Sequence, residues 1–150
     1  MENMERFAPR IIDILHRNNI EGAYIREDRL IYTYRKHLYG ELFGVYELDN
    51  GKLTCCVCYP YPVPEAGRRR IQEFIRQTKK ERIQGHFFLD RCNCIAYGND
   101  YRLFNEKESP NTHGFEEFCL RAHEIFTLHL HVMYGIIFLG QVMDKLPRPN

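Results

Sequence analysis

Tryptophan is absent from this 150-residue chain, and serine occurs once, at Ser109. No G-x-S-x-G turn surrounds that serine, which removes the usual arrangement for a serine nucleophile. A glycine-rich phosphate loop and a G-x-G-x-x-G run are missing as well, so the common nucleotide-binding motifs are not present. Charge of one sign is also lacking. The 21 basic residues stand against 20 acidic ones, a net of +1, which supplies no whole-chain attraction to nucleic acid or to an anionic membrane. A secretory leader is not expected, because Glu2, Glu5 and Arg6 interrupt the opening turn. The six cysteines are therefore expected to be free thiols in a reducing cytoplasm.

Ten tyrosines and ten phenylalanines are present instead, enough for an aromatic and aliphatic core in one domain of residues 1–150. Phe7, Ile11, Ile14 and Leu15 mark one face of a helix from Glu5 to Asn18. Strand patterns follow at Gly22 to Ile25, Leu30 to Arg35 and Glu41 to Leu48. Asp49-Asn50-Gly51 then predicts a tight hairpin, since Asn-Gly accepts positive φ at little cost. The next strand, Leu53 to Tyr59, stops at Pro60, Pro62 and Pro64, which cannot donate to a ladder. Ile71, Phe74, Ile75 and Thr78 recur at helical spacing, and Gly85 closes that helical section. A second hairpin is expected from Gly85 to Leu89 and Cys94 to Tyr97, then a polar connector from Asn105 to Gly114. The last element is a long helix with an apolar stripe through Phe115, Phe118, Cys119, Ala122, Ile125, Phe126, Met133, Ile136 and Ile137. Together these predict an α+β domain: one antiparallel sheet of about five strands with an N-terminal, a middle and a long C-terminal helix.

Metal-site spacing is weak. Cys55, Cys56 and Cys58 share one strand, and Cys92 and Cys94 sit at a hairpin tip. These are not the paired C-x-x-C knuckles of zinc sites, and free cysteines commonly pack as small hydrophobes. His123-Glu124 opens like a metalloprotease helix, but Thr127 stands where the second histidine belongs. His129 and His131 point to different sides of a helix, and His86 lies in a strand. No cofactor, metal ligand or catalytic residue is assigned; the alternative to a non-catalytic binding module is a small enzyme or metal-binding protein that uses the cysteine clusters.

The order of elements resembles the YbjN-like family, whose domain shares its architecture with type III secretion chaperones. The residues that carry the likeness are Val63-Pro64-Glu65 after a β run, then a helix, then Gly85-His86-Phe87-Phe88-Leu89-Asp90. Gly85, Phe87, Leu89, Asp90 and Tyr97 take the places of that family's G-x-F-x-L-D strand and following tyrosine. Lys79-Lys80-Glu81-Arg82-Ile83-Gln84 departs from its Asn-rich segment, as does the cysteine-rich strand. The resemblance implies a compact α+β domain, often dimeric, that binds proteins in a chaperone-like way or plays a regulatory part, and it brings no catalytic residues.

Two surfaces are candidates for that binding. Arg68, Arg69, Arg76, Lys79 and Lys80 form a basic face on the middle helix, suited to an acidic partner or simply to water. No aromatic platform lies beside them, which weighs against nucleic acid. From Ile125 to Met143 there is no charged side chain, and Leu128, Leu130, Tyr134 and Phe138 lie away from the first apolar stripe. They form a candidate homodimer or partner surface. The length approaches a bilayer span, but two histidines and two glycines dilute it, which weighs against a membrane anchor. Charge reversal at Arg69 and Arg76 is expected to leave the thermal unfolding midpoint unchanged. A collapse in stability would mean that this face of the helix is turned inward.

Overall fold

The computed structural model describes residues 4–103 and 114–147. The expected connector around Ser109 lies outside the described residues. The chain forms α1 (Met4–Arg17), β1 (Glu21–Ile25), β2 (Leu30–His37), β3 (Gly40–Asp49) and β4 (Lys52–Tyr59). A 3-10 turn (Glu65–Gly67) leads into α2 (Arg68–Lys80), then β5 (His86–Leu89), β6 (Ile95–Arg102) and α3 (Phe115–Lys145). The α+β class is as expected, but the antiparallel sheet has six strands rather than five, in the order β1-β2-β3-β4-β6-β5.

The β3–β4 hairpin forms where Asn-Gly placed it. Asn50 and Gly51 both take positive φ, 50° and 73°, the backbone that matches the twist of a two-residue hairpin. The second hairpin is longer than its sequence suggests. Gly98, Asn99 and Asp100 look like strand breakers, yet β6 runs on to Arg102 because it pairs with the whole of β4, from Tyr59↔Ile95 to Lys52↔Arg102. Tertiary pairing overrides local preference here.

Residues alternate across the sheet, and all three helices lie on the same side. α1 brings Leu15 against Gly22 and Ile31 of the first two strands. Phe74 of α2 and Phe126 of α3 meet the ring of Phe87 at centroid distances of 5.4 and 5.3 Å. Ile31, Leu42, Tyr46, Leu53, Val57 and Phe87 are thereby buried under Ile11, Leu15, Phe115, Phe126 and Met133. Each full burial of a large side chain stabilises the fold by roughly 1.5–3 kcal/mol. The opposite face has no helix over it: Ile25, Tyr32 and Phe43 are exposed there, as antiparallel sheets allow.

Close approach demands glycine at two kinds of place. Where the turn crosses α3, a Cβ on Gly140 would stand 3.2 Å from the amide nitrogen of Gly67 and 3.3 Å from Pro64. At the start of β5, Gly85 takes φ +76°, and a Cβ there would meet the Gly98 carbonyl and the Tyr97 hydroxyl at 2.5 Å. That hydroxyl donates to the carbonyl of Gln84, fixing the same corner. Gly114 has a similar φ of +72° with open space around it. Gly85→Ala is therefore expected to destabilise by at least about 2 kcal/mol more than Gly114→Ala, which bears only the backbone strain. Urea unfolding of the two variants measures the difference, and equal losses would remove the steric argument.

Candidate functional site

The 31 residues of α3 present two faces of different character. Its inner face is core: Phe115, Cys119, Ala122, Phe126, Met133 and Ile137 are buried. Directly opposite, the first turns carry the exposed Glu117 and Glu124, while Arg121 beside them is half-buried with its Nε lacking a hydrogen-bond partner. The character changes at Leu128. From there Leu128, Val132, Gly135, Leu139, Val142 and Leu146 recur at alternate steps of four and three, all exposed. Leu128 is 69% exposed and Leu146 59%. This is the spacing of a helix–helix seam.

The sequence-predicted surface is partly displaced by this geometry. Leu130 belongs to the core, 2% exposed, because two residues along a helix turn a side chain by about 200° from Leu128. Tyr134 and Phe138 are exposed, as expected, but on the flank of the seam. Tyr134 packs against Tyr39 at 5.0 Å and stacks on Phe138 at 6.0 Å. With Tyr59 and Tyr61 they line a recess of about 200 Å³. The seam residues Val132, Leu139 and Val142 were not singled out by sequence, although their heptad-like spacing was available in it.

On α2, Arg68, Arg69, Arg76, Lys79 and Lys80 are all exposed. The ion pairs among the described residues lie elsewhere, such as Arg26–Glu5 at 2.7 Å and Lys52–Asp100 at 3.2 Å. The basic face is therefore solvated while Ile71 and Thr78 point inward. Phe74 and Phe87 also enclose His129, at 5.2 and 5.9 Å, so that histidine is a packing residue.

All six cysteines are free. Cys55 and Cys119 lie in the core beside Tyr46, whose hydroxyl donates to the Cys119 carbonyl. Burial pushes the Cys119 thiol up to about 12 and raises that of Cys55 further. Cys58 is also pushed up to about 12, by burial and then by the neighbouring Cys94 and Asp90. These three are thiols rather than thiolates at neutral pH, the opposite of an activated nucleophile. The structure nevertheless brings together what the sequence keeps apart. Cys58 from β4 meets Asp90 and Cys94 of the β5–β6 hairpin, with all three donor atoms within 4.8 Å of one another.

His123 is fully buried on the inner face of α3. Its Nε2 lies 3.3 Å from the Thr33 hydroxyl, while Nδ1 has no hydrogen-bond partner. Gly44 leaves the room for Thr33 to reach it. Desolvation, and then Arg35 and His37 on β2, lower its pKa from 6.5 to about 4, so it is held neutral. The arrangement serves packing and shows no substrate-facing opening.

No protein-family model, curated protein or solved structure matches the chain. The likeness to the YbjN-like family thus rests on the sequence pattern.

The buried histidine makes stability depend on acid. Its folded-state pKa lies below the ordinary value, so the unfolded chain binds more protons between the two. The contribution is fully present above pH 6.5 and lost as the pH falls toward about 4, roughly 2–4 kcal/mol in total. Urea unfolding from pH 7 to pH 4 should show this loss, and a Thr33→Val, His123→Leu double variant should show a shallower one. An unchanged slope would assign the acid sensitivity to other groups.

Proposed function

We propose that the chain is a non-catalytic protein-binding module that pairs with a second copy of itself through the outer face of α3. One observation carries this reading. Along the face opposite the core, Leu128, Val132, Gly135, Leu139, Val142 and the C-cap Leu146 are exposed, with His131 as an exposed polar residue beside them. A helix that covers one side of a sheet needs only one apolar face, and a contiguous exposed apolar patch marks an interaction surface.

Three features favour a second copy as the occupant. The four-and-three spacing is what two packed helices require of each other. The stripe carries no charge, so a twofold pairing of identical helices sets no like charges together. At its middle sits Gly135, where a Cβ would have nothing within 4 Å. Glycine in a helix interior costs about 1 kcal/mol relative to alanine, and no contact inside this chain requires it. Close approach of a second helix would. The α+β order and the resemblance to a family of dimeric protein-binding domains point the same way.

The second partner-facing surface in this reading is the bare side of the sheet, where Ile25, Tyr32 and Phe43 are exposed. A reducing cytoplasm accords with six unpaired thiols. By length and composition α3 could cross a membrane, with a third of its most apolar window buried in the domain. That buried share is the core itself, which favours the paired helix over the anchor. The basic face of α2 stands as a secondary surface for acidic protein segments rather than nucleic acid.

Light scattering on the untagged protein at several concentrations tests the proposal. A mass of twice 18.0 kDa is expected. Leu139→Asp should weaken the dimer by at least about 100-fold, near 3 kcal/mol, with the circular dichroism of the chain unchanged. A monomer at every concentration, a dimer indifferent to Leu139→Asp, or recovery only in detergent would each overturn it.

A further inference from the structure

Cys58 lies on the side of the sheet that carries no helix, and its β4 segment is separated from the β5–β6 hairpin by the whole of α2. In the β4–β6 ladder Cys58 pairs with Ala96, which sets Cys94 diagonally beside it on the same face. The hairpin between them is held firmly. Oδ1 of Asp90 accepts the amides of Cys92 at 2.8 Å and Cys94 at 3.0 Å, and the Asp90 amide donates to the Cys94 carbonyl at 2.9 Å. This leaves Oδ2 directed at Cys58, 3.7 Å from its sulfur.

We propose that Cys58, Asp90 and Cys94 form a metal site for a thiophilic divalent cation of the zinc type, with the fourth position open to water. The geometry is close to what such an ion asks. A tetrahedral zinc with bonds of about 2.3 Å to sulfur and about 2.0–2.2 Å to oxygen has donor-to-donor edges of roughly 3.5–3.8 Å. The Cys58–Asp90 separation of 3.7 Å already matches an edge, and no donor pair exceeds 4.8 Å. Two soft thiolates and a carboxylate select zinc over calcium or magnesium, which prefer oxygen alone.

Only weak thiol hydrogen bonds hold the three donors together: Cys58 Sγ to Asp90 at 3.7 Å, and Cys94 Sγ to the Cys92 carbonyl at 3.9 Å and to Cys58. A bound dication takes the place of the two thiol protons. Cys58 and Asp90 are half-buried and Cys94 buried, so the ion would be held at the surface with one side to solvent.

The test uses the full chain, reduced and stripped with a chelator. Zn²⁺ is titrated against a chromophoric chelator, and Co²⁺ serves as the spectroscopic probe. One ion per chain is expected, with a cobalt spectrum showing tetrahedral bands and charge transfer from two thiolates. Cys58→Ser and Cys94→Ser should each weaken binding by at least about 100-fold. Asp90→Asn should weaken it by at least about 10-fold while its amide oxygen still accepts the two backbone N–H groups, so that loss of fold and loss of a ligand are told apart. Cys92→Ser should leave binding unchanged. Absence of saturable uptake, a site that survives Cys58→Ser, loss confined to Cys92→Ser, or a Cys58–Cys94 disulfide in place of uptake would each overturn the assignment.

Discussion

The packing of α3 along one face of the sheet is the constraint on which the rest of the structure depends. The helix meets α1, β4, β6 and the turn before α2, so its inner residues close most of the core at once. Helical geometry then leaves no freedom at the opposite face. Once Ala122, Phe126, Met133 and Ile137 point inward, the residues half a turn away must face outward, whatever they are. In the first turns that face holds charges, and in the last turns it holds Leu139, Val142 and Leu146. The exposed seam is thus a product of sequence choice on a face that packing has already fixed. An evolving helix free of partners would be expected to carry polar residues there throughout.

The same close approach explains the positions where the chain tolerates little change. Gly67 and Gly140 allow the turn before α2 to rest directly on the α3 backbone, and Ile136 covers the remaining gap. Tyr59 and Tyr61 then meet edge to face at 4.7 Å. The Tyr59 hydroxyl reaches the Tyr39 carbonyl at 2.5 Å, and that of Tyr61 accepts the Glu41 amide at 3.2 Å. Aromatic side chains of this kind bury a large body while their polar end finds a partner. In a chain without tryptophan, tyrosine performs both tasks at the junction of sheet, turn and helix.

Much of this was legible in the sequence, and the reason differs by element. Asn50-Gly51 and Gly85 are local signals, because positive φ depends on a residue's own side chain. The inner stripe of α3 was legible from period alone. Leu130 was misplaced because an apolar run without charge hides which of its faces is the core, and only the sheet beneath decides that. The end of β6 was misjudged because Gly98 and Asp100 are poor strand formers that the β4 ladder nonetheless holds. The thiol cluster was illegible for the same kind of reason. C-C-x-C and C-x-C are weak patterns one at a time, and their convergence is created by the register of β4 against β6.

That register also gives the cluster its place in the architecture. On the helix side, Val57 and Tyr97 are paired across β4 and β6 and buried beneath the helices. On the other side the same two strands present Cys58 and Ala96 with no helix layer to press them together. A cation joining Cys58 to Asp90 and Cys94 would tie β4 to the β5–β6 hairpin on the face that carries no helix. It would stabilise by closing a loop that contains all of α2, an effect that grows with loop length. The apolar seam of α3 lies on the opposite side of the sheet from this cluster. Self-association through the seam and cation binding on the bare face therefore draw on separate residues, and the fold permits either without the other.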